Sequence, residues 1–261
     1  MKQRESSMFC MERYEKILEI LQDDRATSVK KLSKLLYVSE ATIRRDLESL
    51  EKNGLIRRIY GGAMRMKSNK DVPLYMRENE QMEAKNSIGK KAAALVKDND
   101  VIFIDASSTA YSLIPYLTGF TNLLVITSGL KAALALGEQH IKTLVTGGVM
   151  IDNSFSFIGR HAEHLIESMN ADLFFFSCRG VSADGRLTDS SMEESQMRQL
   201  MFKHAKRKVF LATSNKIGLE FFYTLCPIDD VDDMICEAEI PEDWKKGCAN
   251  RSAESSWSPC I

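Results

Sequence analysis

The sequence predicts an α/β protein in two unequal parts: a small helical module closed by a β-hairpin, then a larger domain of parallel strands covered by helices. Three observations predict it. The first seventy residues carry apolar positions at helical spacing and end in two short strand-like runs around Gly61-Gly62. From Glu83 onward, short β-branched and aromatic runs alternate with longer amphipathic stretches, the pattern of a mostly parallel sheet. Between the two, residues 67–82 are polar, contain Pro73 and read as a linker.

The composition is that of a globular chain. Of 261 residues, 44% are hydrophobic and 27% charged, so a packed core is expected rather than disorder. No apolar run approaches the ~20 residues a membrane helix needs, and residues 1–10 lack the apolar stretch of a signal peptide. A cytoplasmic location without a membrane partner is expected. Cys10, Cys178, Cys226, Cys236, Cys248 and Cys260 include no C-x-x-C pair, so neither a zinc knuckle, a dithiol redox pair nor a disulfide framework is indicated. Cys178 and Cys236 fall in or beside apolar runs and are read as core. The net charge of −1 hides an asymmetry: 16 basic residues face 10 acidic ones through Lys70, and 19 face 26 in the rest. A basic segment joined to an acidic body suits a first segment that meets a polyanion.

In the first part, Met11, Tyr14, Leu18 and Leu21 recur at spacings of three and four and predict a helix from Met11 to Gln22. Thr27-Ser28 offers a cap for a second, with Val29, Leu32, Leu35 and Leu36 as its apolar stripe. Ser39 caps a third, which runs to about Asn53 and is ended by Gly54. Two short helices joined by a tight turn form a helix-turn-helix. Ile43, Leu47 and Leu50 set the buried face of the third helix. At roughly 100° per residue, Ser39, Thr42, Arg44 and Arg45 then face outward, the part of a recognition helix that enters a major groove. After Gly54, Leu55 to Tyr60 and Ala63 to Met66 pair around Gly61-Gly62 as a basic wing. Arg57 and Arg58 on it, and Arg65, would lie against phosphates or in the minor groove.

The run Val38-Ser39, Thr42-Ile43-Arg44-Arg45-Asp46-Leu47, Leu50, Gly54, Arg58 and Gly61-Gly62-Ala63 resembles the N-terminal signature of the DeoR family of regulators. The resemblance implies a winged helix-turn-helix over residues 11–66 that binds double-stranded operator DNA, usually to repress a sugar-utilisation operon. Residues 1–10 would then be an extension.

The body, 83–236, is predicted to be Rossmann-like. It reads as a helix from Glu83 to Lys97, a strand Val101–Ile104, a helix to Leu117 and a strand Leu123–Ile126. A helix Leu130–Gly137, a strand Ile141–Val145, a helix His161–Met169 and a strand Leu173–Phe176 follow, then a helix Met192–Ala205 and a strand Val209–Ala212. In such sheets ligands bind beyond the carboxyl ends of the strands. Those ends are polar and small here: Asp105-Ala106-Ser107-Ser108-Thr109, Thr127-Ser128-Gly129, Thr146-Gly147-Gly148 and Thr213-Ser214-Asn215-Lys216. Hydroxyls and free N–H groups at a helix start suit an anion, most naturally phosphate, the glycines permit close backbone approach, and Lys216 supplies countercharge. Neither G-x-x-x-x-G-K nor G-x-G-x-x-G occurs, so no nucleotide cofactor is indicated.

The resemblance extends, more loosely, to about residue 236. Arg77, Lys85, Asp105 with Ser108-Thr109, Gly147-Gly148, Gly159, Gly180, Gly185, Glu194 and Lys216 fall on family motif positions. It implies a sensor domain similar to ribose-5-phosphate isomerase, a phosphorylated sugar as effector and a homo-oligomer. The effector is expected on Ser107, Ser108, Thr109, Thr127, Gly147, Gly148 and Lys216, with Asp105 facing the sugar hydroxyls. One departure stands out: the family's D-x-x-K has Thr213 in place of its aspartate. Two rival readings differ in class. A sugar-phosphate isomerase-like enzyme would use Asp105, Asp184, Asp189, Glu193 or Glu194 as a base, but has no use for a winged helix. A metal-dependent regulator would use His140, His161, His164 or His204, but no cluster completes such a site. The tail, 237–261, matches no pattern.

Overall fold

The computed structural model describes residues 13–14, 16–21, 26–52, 55–65 and 74–239. The extension 1–10, Gly54 and the tail from residue 240 onward lie outside them. The chain divides into two compact units, 1–76 and 77–261.

The first unit is a helix-turn-helix with a three-stranded sheet. Residues 13–14 and 16–20 are helical (α1), followed by β1 (Thr27–Ser28), α2 (Val29–Leu36), α3 (Glu40–Lys52), β2 (Ile56–Ile59) and β3 (Gly62–Arg65). Ile17, Leu21, Leu32, Ile43, Leu47, Leu50 and Ile56 close one core. The expected caps form: Ser28 Oγ accepts from the Lys31 N–H, and Ser39 Oγ from that of Thr42. Leu35 departs from its expected place and is half exposed. It lies roughly 90° around α2 from the mean direction of Val29 and Leu32, beyond the buried stripe. One buried contact was not legible locally: Arg13 grips Asp46 on α3 through two hydrogen bonds of 2.5 and 2.8 Å.

The wing is a two-residue hairpin, but its turn is Tyr60-Gly61 rather than Gly61-Gly62, because Ile59 pairs with Gly62. Gly61 takes the positive φ of 78° that the turn requires. Gly62 is glycine for another reason. It sits in β3 opposite β1, where a Cβ would collide with the Thr27 carbonyl.

The second unit holds a six-stranded sheet, every neighbouring pair parallel. Its strands are β4 (Val101–Ile104), β5 (Leu124–Thr127), β6 (Lys142–Val145), β9 (Ala171–Phe176), β12 (Ala205–Ala212) and β14 (Asp233–Cys236), in the order β14-β12-β9-β4-β5-β6. Side chains alternate between its faces with the period of a strand. Ile102, Ile104, Phe175 and Leu211 pack under α5 (Met82–Ala93) and α7 (Leu130–Glu138). Phe103, Phe174, Phe176 and Phe210 pack under α8 (Arg160–Glu167) and α9 (Met192–Lys203). Cys178 and Cys236 are buried in that second layer.

Several elements differ from expectation. The helix expected to run to Leu117 is a four-residue α6 (Ser108–Tyr111) and a separate 3-10 turn, Ile114–Tyr116, because Pro115 has no N–H to continue the ladder. The expected linker contains α4 (Leu74–Asn79), which is too short to show a periodic stripe. The strand expected at Val209–Ala212 begins at Ala205, four residues before its apolar run, and β14 adds a parallel strand beyond the expected ones. The hairpin β7 (Val149–Ile151) with β8 (Ser156–Ile158), and the antiparallel sheet of β10 (Gly180–Val181), β11 (Arg186–Asp189) and β13 (Tyr223–Pro227), gave no sequence signal. β7, β8 and β10 are two or three residues long, too short for alternation to register, and β11 and β13 carry neither an unbroken apolar run nor a clean alternation.

Replacing Gly62 tests the packing of the wing. Gly62→Ala should cost about 1–3 kcal/mol in urea or thermal unfolding of the first unit, whereas Gly61→Asn, which tolerates positive φ, should cost less.

Candidate functional site

On α3 the outward face is as its periodicity requires. Arg44 and Arg45 are exposed, and Thr42 is half buried beside exposed Ser39. Ser39 Oγ and Thr42 Oγ1 are 2.9 Å apart, so both hydroxyls are held at the helix start. Arg44 pairs with Glu40 at 2.8 Å, an exposed contact that water and salt keep weak and that a phosphate can displace. Arg45 makes no ion pair among the described residues. On the wing, Arg57 and Arg58 are exposed. Glu51, near the end of α3, accepts the Arg58 backbone N–H at 2.8 Å and lies 4.0 Å from its guanidinium. One carboxylate thus ties the wing to the recognition helix, leaving Arg57 the less encumbered arginine. Tyr60 stands fully exposed at the wing tip, and Tyr37 almost so at the turn between α2 and α3. Both were passed over in the sequence, although an aromatic residue in a two-residue turn is itself a signal.

At the carboxyl edge of the parallel sheet, several of the expected effector residues are engaged by the protein itself. Asp105 does not face open space. Its Oδ1 accepts the Ser107 hydroxyl at 2.6 Å and the Ser107 N–H at 3.1 Å. Its Oδ2 accepts Arg198 Nε at 2.7 Å and the Ser177 N–H at 3.4 Å. Both oxygens are satisfied internally, so Asp105 is not placed to read a sugar. Ser107 is likewise spent, since its hydroxyl also accepts the Ala110 N–H as the cap of α6. Thr127 is fully buried and holds its own loop, accepting the Gly129 N–H at 3.0 Å. Gly148, at φ 108°, is required by the chain itself, because the Ile158 carbonyl and Ala162 occupy the place of a side chain. Gly147, at φ 64°, does face open space.

Of the remaining expected residues, Lys216 and Thr109 meet, Ser108 lines a groove that neither of them lines, and Gly147 shares neither that groove nor a hydrogen bond with any of the three. Lys216 Nζ donates to Thr109 Oγ1 at 3.0 Å and to Ser177 Oγ at 2.7 Å. Ser108 lines its groove of about 420 Å3 with Lys85, Asn86, Tyr111, Lys131, Glu78 and Glu138, and Lys131 is paired there with Glu78. Lys85 is buried and donates to the Arg77 carbonyl. Burial holds both lysines at a pKa of about 8, and the positive charges of Lys216 and Arg77 add to this at Lys85, those of Arg179 and Arg77 at Lys216. The two lysines are thus within electrostatic reach of each other, with Glu80 and Glu78 partly offsetting the effect at Lys85 and Asp105 at Lys216.

Arg198 organises this edge, and the sequence reading missed it. It is 5% exposed, and its Nη1 donates to Asp189 at 2.9 Å while Nε holds Asp105. Burial opposes its charge, but Asp189, Asp105 and Glu194 outweigh that and push its pKa up. A signal was present: Glu194, Arg198 and Met201 follow i, i+4, i+7, so two charged residues stand on a core-facing stripe. Of the rival bases, Asp189 is locked by Arg198, Asp184 is exposed and paired with Arg186, and Glu193 is exposed. His164 lies beside Glu167 on the surface, and no group of three or more metal-ligating side chains is gathered among the described residues. No helix among them is long and apolar enough to cross a membrane. Thr213, in the place of the family's aspartate, is buried and bonds the Asn215 side chain at 2.7 Å.

A helix-turn-helix with a cationic outer face, followed by an α/β domain with a polar, cation-lined ligand edge, defines a ligand-responsive DNA-binding regulator. The chain belongs to the DeoR family: residues 13–69 match the DeoR-like helix-turn-helix domain and residues 80–238 the DeoR C terminal sensor domain. It is 37% identical to the HTH-type transcriptional regulator GolR of Listeria innocua, over 89% of this chain and 92% of that one. It is 28% identical to the L-fucose operon activator of Haemophilus influenzae (90% and 95% covered) and to the lactose phosphotransferase system repressor of Staphylococcus epidermidis (87% and 91%). These relatives are transcriptional regulators, not enzymes. Among solved structures, ribose 5-phosphate isomerase A of Methanocaldococcus jannaschii is similar at a TM-score of 0.41 and 18% identity, over 53% of this chain and 55% of that one. Likeness at that level says nothing of activity. The family makes the first unit a DNA-binding domain and the second a sensor of a small effector.

Removing the central guanidinium would leave two buried carboxylates uncompensated. Arg198→Met should therefore destabilise the second unit by about 3–5 kcal/mol in urea unfolding. Combining it with Asp105→Asn and Asp189→Asn should recover much of that loss. Additive losses across the three changes would show that the ion pairs do not carry the stability.

Proposed function

We propose that this protein represses a sugar-metabolism operon in the cytoplasm, and that a phosphorylated sugar bound to the second unit controls its hold on double-stranded operator DNA. The observation that carries the effector reading is the pair of buried lysines, Lys85 and Lys216, beside Ser108 and Thr109. Two desolvated cations held at a pKa of about 8 are an unfavourable arrangement that a dianion relieves. We assign the phosphate to the start of α6, between Lys85 and Lys216, and the sugar to the edge near Asp105. The names of the fucose-operon and lactose-system relatives support a sugar. They include both an activator and a repressor, so transcription from a purified template with and without effector is the decisive assay of direction.

A homo-oligomer is part of this reading. A single winged-helix module buries only about 600–1,000 Å2 on DNA, too little for operator-level affinity alone. The effector acts through its differential affinity for two states of that assembly.

Two outcomes are expected. Arg45→Ala should cost about 1–3 kcal/mol on a duplex selected from a random pool. Arg57→Ala should weaken all duplexes alike and lower the salt slope by about one. Unchanged selectivity in folded Arg45→Ala would remove that residue from base recognition. For the effector, the sign follows from Lys216: its folded pKa lies below the ordinary lysine value, so the free protein loses this charge as pH rises through about 8. Affinity for hexose and pentose phosphates in calorimetry should fall between about pH 7 and about pH 9, where the ligand remains a dianion. A flat profile, or no binding of any phosphorylated sugar, would sink the assignment.

A further inference from the structure

One buried carboxylate at the effector edge is left without a hydrogen bond, and it is not the one that the loop pattern singles out. Asp105 has both oxygens filled. Glu194, in the first turn of α9, is only 7% exposed. Its backbone N–H is taken by the Ser191 cap, but its carboxylate accepts no hydrogen bond from any described residue. It lines a crevice with Asp105, Ser128, Ser156 and Arg198. Ser128 is also buried, and its hydroxyl has no hydrogen-bond partner among the described residues.

Glu194 is nearly buried, yet its carboxylate oxygens are not sealed off: they keep contact with solvent through the crevice and are acceptors that no donor among the described residues occupies. Arg198 stands within electrostatic reach, yet its Nε and Nη1 are committed to Asp105 and Asp189. Three carboxylates surround one guanidinium, so an excess of negative charge remains. The crevice measures about 10 Å3, the size of one water-sized group. Size excludes a phosphate, and the surrounding carboxylates repel one. What fits is a single hydrogen-bond donor, such as a hydroxyl.

We propose that Glu194 is the residue that reads the effector's polyol, accepting a hydrogen bond from one sugar hydroxyl that enters this crevice beside Ser128. This rests on the phosphorylated-sugar reading above. Glu194 then performs the task that the loop pattern assigns to Asp105, while Asp105 holds the loop. Selectivity and charge neutralisation are divided between residues: the lysines favour any phosphate, and Glu194 selects among them by their hydroxyls.

The test uses the full-length protein and calorimetry with ribose 5-phosphate, fructose 1-phosphate, glucose 6-phosphate, their deoxy analogues and inorganic phosphate. In the parent protein, the preferred sugar phosphate should bind about ten- to a hundredfold better than the analogue lacking the read hydroxyl, the range for a hydrogen bond to a charged group. Glu194→Gln should shrink that ratio to about twofold and leave inorganic phosphate binding unchanged. It should leave the melting temperature of the ligand-free protein nearly unchanged, because the carboxylate keeps contact with water and holds no donor among the described residues; were the glutamate's role merely structural, the change would lower it. Should Glu194→Gln not fold, that outcome counts against the proposal, and Glu194→Asp, which keeps the charge but shortens its reach, provides a second reading of the ratio. A variant that retains the parent's preference overturns the proposal while leaving the effector class intact. If no phosphorylated sugar binds the parent protein, the effector reading falls, and this inference with it.

Discussion

The second unit depends on a buried arginine between two aspartates. Arg198 comes from α9, Asp105 from the end of β4 and Asp189 from the end of β11, so one guanidinium joins three elements far apart in sequence. Taking these charges out of water is expensive, and the direct hydrogen bonds from Nε and Nη1 offset that cost. The bonding propagates. Asp105 fixes Ser107 and the start of α6, and the Ser177 N–H. The Ser177 hydroxyl meets Lys216, and Lys216 meets Thr109. The ligand edge is one hydrogen-bonded chain, and its geometry is set before any ligand arrives.

The two units use charge in opposite ways, and solvent exposure decides which. Arg44 pairs with Glu40 in water, so the pair is weak and its arginine can be redirected to a polyanion. Arg198 makes comparable contacts in the interior, where neither partner can be given up cheaply. The charges free to act on DNA are therefore those the fold holds loosely, and the charges that shape the sensor are those it cannot release. Lys85 and Lys216 stand between these cases. Desolvation has already lowered their hold on a proton, and an arriving anion would restore it.

The same distinction explains the placement of the glycines and hydroxyls. Gly62 and Gly148 make room for the chain itself, and Ser28, Ser39 and Ser107 satisfy helix starts. A small or hydroxylated residue at a strand end first serves its own backbone. Only Ser108, Thr109 and Gly147 remain turned toward space or toward the cations.

The sequence by itself determined the helix-turn-helix, the wing, the parallel sheet and the outward face of α3, because each is written in a local period of 3.6 or 2 and in caps a few residues away. It also marked the strand ends as the polar edge and picked out Lys216. It could not show that Asp105 is consumed, that Thr127 is sealed in, or that Glu194 is left unbonded. Nor could it show the short strands β7, β8 and β10, which lack the length for any alternation. A side chain's partner can lie anywhere along the chain: Asp105 and Arg198 are 93 residues apart, and Arg13 and Asp46 are 33. Local pattern records which way a residue points from its own backbone. Which donor or acceptor waits there is decided only when the distant elements pack.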